Sequence, residues 1–187
     1  MPLTVYTIGH STRSIEAFVA LLREHGVTRT VDVRRYPVSR RHPHFAGDAL
    51  AASLAERGID YQHLPDLGGR RAPSADSPNT AWRNASFRAY ADYMATPEFA
   101  SALRALRALA SERPTAIMCA EAVYWRCHRR LIADALVAGG EQVLHLGSRA
   151  AAEPHPLHPD ARTDAGGVLV YPAGGAPQAG LFDDATR

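Results

Sequence analysis

The feature that most constrains this chain is an alternation. Five short β-rich runs, 4–8, 30–33, 59–63, 115–119 and 142–146, are separated by stretches whose apolar residues recur at helical spacing. Strand and helix alternating in this way build βαβ units, with a parallel sheet covered by helices on both faces. The expected fold is therefore a single α/β domain with a mainly parallel five-stranded sheet. The helical segments carry their own punctuation. Ser14 is a candidate N-cap before Ile15, Phe18, Val19 and Leu22, and Gly26 is placed to end that helix. Leu50 and Leu54 mark a second helix closed by Gly58, and Phe87, Tyr90, Ala91 and Met94 a third. Thr96-Pro97 is a helix start, with an N-cap followed by proline at the first helical position. A last helix is expected over about 127–137, ended by Gly139-Gly140.

Two regions depart from the alternation. Residues 65–84 are rich in Gly, Pro, Ser and Arg, and a loop of that length in a compact domain is usually functional or mobile. The last forty residues are rich in Ala, Pro, Gly and Asp, with one apolar run at 168–171. They are expected to add a small hairpin or edge strand, giving a domain over 1–172 and a flexible tail over 173–187.

A length of 187 residues suits one domain with a real core. The formal net charge of +2 gives no argument for a nucleic-acid partner. Arginine supplies all 21 of the basic Lys and Arg residues, and its guanidinium grips phosphate or carboxylate in two-pronged fashion. A GC-rich genome would produce the same bias. No basic leader followed by an apolar stretch is visible, and no apolar run is long enough to span a membrane. A cytoplasmic protein with reduced thiols is expected, so Cys119 and Cys127 are not read as a structural disulfide.

In a parallel α/β sheet the carboxyl ends of the strands lie on one edge, where ligands bind. That edge collects Gly9, His10 and Ser11 after the first strand, then Asp32, Arg34, Ser39 and Arg40 after the second. The third adds His63, Gly68, Gly69 and Arg70, the fourth Cys119, Glu121, Cys127, His128 and Arg129, and the fifth His145. Cys119 is either a small buried hydrophobe or a thiolate activated by His128 or by the start of the following helix. The phosphatase pattern of Cys, five residues and Arg does not fit, because Arg126 falls one residue late. Glu121 is a candidate general acid or base, or merely an exposed partner for Arg129. The seven residues between the two cysteines match neither the usual zinc spacings nor the thioredoxin-like redox motif, so no metal and no cofactor is expected. The stretch 34–42, with four Arg, a Tyr and a His, suits anion binding.

Several of these segments together resemble one bacterial family, catalogued as domain of unknown function 488. They are Thr7-Ile8-Gly9-His10-Ser11; Asp32-Val33-Arg34 with Pro37 and Ser39-Arg40; Tyr61-Gln62-His63-Leu64-Pro65 with Leu67-Gly68-Gly69; and Met118-Cys119-Ala120-Glu121 with Cys127-His128-Arg129. The resemblance runs over about residues 4–172. It implies a compact α/β fold with a site at these motifs, at His10, Asp32, Arg34, His63, Cys119, Glu121, Cys127, His128 and Arg129, but no reaction. The chain departs from the family after His155-Pro156-Leu157, where His158 stands in place of a frequent Thr.

Near the chain end, Gln178, Leu181 and Phe182 look like a peptide that binds the bacterial sliding clamp.

Three functional classes follow. The first is a hydrolase acting on DNA or a nucleotide, in repair or maintenance. Glu121 or Asp32 would be its general base, Cys119, His128 and His10 would assist, and Ser11, Arg34, Arg40, Tyr61, His63, Gly68, Gly69, Cys127 and Arg129 would bind substrate. The second is a cysteine-dependent hydrolase or redox enzyme on a small molecule, with Cys119 as nucleophile. The third is a non-catalytic module binding DNA or the clamp.

Overall fold

The β-branched runs do become strands, and their pairing decides where the motifs meet. The computed structural model describes residues 2–147 and 151–174. The elements are β1 (Thr4–Gly9), α1 (Ile15–Glu24), β2 (Arg29–Asp32), α2 (Gly47–Ala55), β3 (Asp60–His63), α3 (Ala85–Tyr93) and α4 (Pro97–Glu112). They continue with β4 (Thr115–Cys119), α5 (Arg129–Ala138), β5 (Gln142–Leu146), β6 (Glu153–Pro154), β7 (Arg162–Thr163) and β8 (Leu169–Val170).

The sheet order is β3-β2-β4-β1-β5-β6, the five expected strands joined by one added edge strand. The five expected strands are parallel, and the sixth, β6, is a two-residue antiparallel edge on β5. The C-terminal region supplies both anticipated additions, since β7 and β8 form a separate antiparallel hairpin.

Alternation along each strand sends side chains to opposite faces. Ile8, Ala116, Met118 and Leu146 pack with Phe18 and Leu22 of α1 and Leu50 and Leu54 of α2. Val5, Val31, Ile117 and Val143 pack with Tyr90 of α3, Leu106 of α4 and Leu131 and Ile132 of α5. The helix starts form as the sequence anticipates. Ser14 Oγ accepts from Ala17 N at 3.1 Å, and Thr96 Oγ1 accepts from Phe99 N at 3.3 Å ahead of Pro97. The final helix begins at Arg129, two residues later than expected, with Cys127 and His128 leading into it.

The 65–84 segment is pinned rather than open. Leu67 is fully buried in a short 3₁₀ turn, Asn79 accepts from Tyr171 N and donates to Asp92, and Ala81 N donates to Tyr171 O. This ties the loop to α3 and to the C-terminal hairpin. No described helix is long and apolar enough to cross a membrane. Gln178, Leu181 and Phe182 lie outside the described residues.

A dithiol pocket as candidate functional site

Strand register assembles the site. Gly9 pairs with Cys119, and Asp32 pairs with Met118 on one side and His63 on the other. Beyond the sheet the chains stay together, with His10 N donating to Cys119 O, Ser11 N to Ala120 O and Val33 N to Met118 O. Gly9 is required here. A Cβ at this position would sit 1.9 Å from Glu121 O, so only glycine lets the loop after β4 fold back over β1. Gly68 is required for the same reason, since its Cβ would meet the Arg35 backbone at 2.6 Å.

The strand ends open into a pocket of about 430 Å³. Cys119, Cys127 and His128 line it together with Phe87 and Tyr90 of α3, and Arg34, Arg35, Arg70 and Arg126 surround it. Both thiols are free and buried, and their Sγ atoms lie 2.7 Å apart. Arg129, itself only 1% exposed, donates from Nε to Cys119 Sγ at 3.0 Å, from Nη2 to Glu121 O at 2.6 Å and from Nη1 to Thr7 Oγ1 at 3.2 Å. Its backbone N donates to Cys127 Sγ at 3.4 Å, so Cys127 accepts from the first residue of α5.

This arrangement divides the two thiols. Burial works against a thiolate at Cys127, but hydrogen bonding from Cys119, the Arg129 charge and the Arg129 N–H overcome it and hold Cys127 down at about 6. Burial pushes Cys119 well above the usual thiol range, and its bond to Cys127 adds to the rise. The pull is thus toward a thiolate at Cys127, with Cys119 carrying the proton between them. Burial also lowers His128. Its Nε2–H donates to Val33 O at 3.0 Å, which leaves Nδ1 as a lone pair 3.5 Å from Cys127 Sγ.

The other expected site residues separate by role. Asp32 is fully buried. Its Oδ1 accepts from Arg34 N and Nε, and its Oδ2 from Arg34 Nη2 at 2.6 Å and Tyr61 OH at 2.7 Å. With both oxygens engaged it does not fit the expected role of general base, and it serves instead to aim Arg34. Burial and Asp32 push the Tyr61 hydroxyl well up, so Tyr61 remains a donor. His63 donates to Arg34 O at 2.8 Å and steadies the same turn. His10 stacks on Phe45 and donates from Nδ1 to Ser11 O, and burial lowers it to about 4, so it is neutral near pH 7.

Ser11 is held at φ 47 in the left-handed region. With Arg40 and His10 it lines a shallower depression that joins the main pocket at Ala120 and Glu121. Glu121 is exposed at that junction, and it is its backbone carbonyl, not its carboxylate, that bonds Arg129. Gly69 places its backbone beside the His128 ring.

Sequence reasoning overlooked the pocket's aromatic wall, Phe87 and Tyr90, and the inward Thr7. Phe87 and Tyr90 read as ordinary helix core. Thr7, at the centre of an apolar strand, was the available signal.

Fold and site together define a one-domain α/β protein with a thiol pair in an arginine-ringed pocket at its strand ends. The chain belongs to the family described as Domain of unknown function DUF488, whose model matches residues 14–136. No curated protein and no solved structure matches it.

Proposed function

We propose that the protein is a dithiol oxidoreductase acting on an anionic small molecule. The observation that carries this reading is the Cys119–Cys127 contact at 2.7 Å on the pocket floor, with Arg129 beside both sulfurs. A hydrolytic thiol needs one cysteine, whereas two in contact suit a dithiol/disulfide couple. The arginine ring suits a substrate bearing carboxylate or phosphate.

Cys127 thiolate attacks one sulfur of a substrate disulfide, forming a mixed disulfide and releasing the other half as a thiolate. Cys119 then gives up its proton and attacks Cys127 Sγ. The second substrate thiol leaves, and a Cys119–Cys127 disulfide remains. A dithiol reductant returns the pair to the reduced state. A water-activating carboxylate is what the nucleic-acid hydrolase reading needs most. Asp32 is fully engaged and Glu121 sits exposed at the rim, so that reading has less support.

A dianionic aromatic disulfide, 5,5′-dithiobis(2-nitrobenzoate), tests the proposal. The native protein is expected to release two equivalents of thionitrobenzoate per chain and end as an internal disulfide. Cys119→Ser is expected to release one and stop as a mixed disulfide on Cys127. Reaction only after unfolding would refute the reading.

A further inference from the structure

We infer that Thr7, His145, His155 and Asp134 form a buried positioning relay that fixes Arg129 against the thiol pair. This rests on the dithiol reading for its consequence, though not for its geometry. The relay runs away from the pocket through the interior. Arg129 Nη1 donates to Thr7 Oγ1 at 3.2 Å, and Thr7 Oγ1 lies 2.7 Å from His145 Nδ1. His145 Nε2 lies 2.9 Å from His155 Nδ1, and His155 Nε2 lies 2.9 Å from Asp134 Oδ1. Asp134 is fully buried and also accepts from His158 N and Tyr171 OH. The residues come from β1, α5, β5 and the segments after β6 and β8, so this link is absent from any local motif.

The hydrogens at the two ends of the chain are fixed by chemistry. Arg129 can only donate, so Thr7 Oγ1 accepts from it, and His155 carries hydrogen on Nε2 and gives it to Asp134. The chain links a buried guanidinium to a buried carboxylate through Thr7 and two imidazoles. Burial, His155 and Arg129 all lower His145, to about 3, which agrees with a neutral ring. Tyr124 stacks on that ring at 3.5 Å and holds its plane. Hydrogen bonds linked in a buried chain polarise one another, so the chain orients Arg129 more firmly than an isolated hydroxyl would.

The consequence lies at the sulfurs. The groups facing Cys127 are Cys119 from β4, His128 at the start of α5, Arg129, and Tyr90 from α3. Arg129 is the only permanent charge among them. Without Thr7 as acceptor its fork loses one of three anchors and leaves Cys119. Burial at the thiolate is then opposed by the Cys119 bond and the Arg129 backbone N–H without the full pull of the guanidinium.

The test uses Thr7→Val, with Thr7→Ser as the rescue. One readout is the pH midpoint of Cys127 alkylation by iodoacetamide. The other is the ¹⁵N-edited Nε–H resonance of Arg129, which does not depend on thiol reactivity. Thr7→Val is expected to raise the midpoint by about one unit or more, roughly ten-fold less thiolate below it, and to shift the Arg129 resonance. Thr7→Ser is expected to restore both. A merely structural residue would lower the melting temperature and leave the midpoint alone. If Thr7→Val does not fold, His145→Phe keeps the ring on Tyr124 and removes the acceptor, with the same expectation. An unchanged midpoint and resonance in a folded variant overturns the relay. A wild-type midpoint at the ordinary thiol value overturns the dithiol reading instead. The Arg129 resonance then decides the relay alone, supporting it by moving and overturning it by staying.

Discussion

Replacing Arg129 by Gln removes the charge that opposes burial at the thiol pair and keeps one amide donor. The native Cys127 sits at about 6. At pH 7 about nine tenths of it is thiolate, against ~3% for an ordinary thiol near 8.5, a gain of roughly 30-fold. Nucleophilicity falls with pKa at a slope of ~0.4–0.5, so ~2.5 units of depression cost about 13-fold. The two nearly cancel, and the alkylation rate at pH 7 is expected to change only about two-fold. The midpoint separates the cases. Alkylation followed from pH 4 to 10, quantified on the Cys127 peptide, is expected to move from about 6 in the native protein to at least ~8.5 in Arg129→Gln. Near-UV circular dichroism checks that the variant is folded. A folded Arg129→Gln protein whose midpoint stays near 6 would show that the guanidinium does not set the thiolate.

Other perturbations give separate readings. Gly9→Ala drives a Cβ into Glu121 O and should cost about 1–3 kcal/mol or more, seen as a lower melting temperature with loss of thiol reactivity. Asp32→Asn leaves buried Arg34 without its counter-charge and should cost ~3–5 kcal/mol in chemical denaturation. His10 and His145 are held at about 4 and about 3, below the ~6.5 of the unfolded chain. Their contribution to stability is therefore present above about pH 6.5 and lost as pH falls through the folded values. Melting temperature should drop between pH 6.5 and 4, and less steeply in His10→Gln. Arg70→Ala should raise KM for the dianionic disulfide several-fold and leave a neutral disulfide unaffected, a contrast that salt should erase.

The architecture was legible because strand and helix periodicities alternate with clear stops, as at Ser14, Gly26 and Thr96-Pro97. The sixth strand was less so, because β6 is two residues long and carries no periodicity. The strand-end rule pointed to His10, Asp32, Arg34, His63, Cys119, Cys127 and His128, which the sheet register places along one edge. It did not rank them. Asp32 and Glu121 are both carboxylates on the same edge, yet one is buried under four donors and the other faces solvent, a difference that only packing sets. The two cysteines were judged by their spacing in sequence. They are brought into contact because the loop after β4 returns to start α5 beside the strand it left. His155 and Asp134 carried no signal toward the thiols, since their link to Arg129 passes through two other strands.

A dithiol oxidoreductase requires that Cys119 and Cys127 form one redox couple. The most direct test is to treat the folded protein with a disulfide oxidant, block free thiols, digest with trypsin without reduction and identify linked peptides by mass spectrometry. Cleavage after Arg126 separates the two cysteines onto different peptides. A single species is expected, two hydrogens lighter than the sum of the two, in which the Cys119 peptide is joined to Cys127-His128-Arg129 and from which a dithiol restores both free thiols. Recovery of both cysteines as free thiols, or linked only between separate molecules, would contradict it.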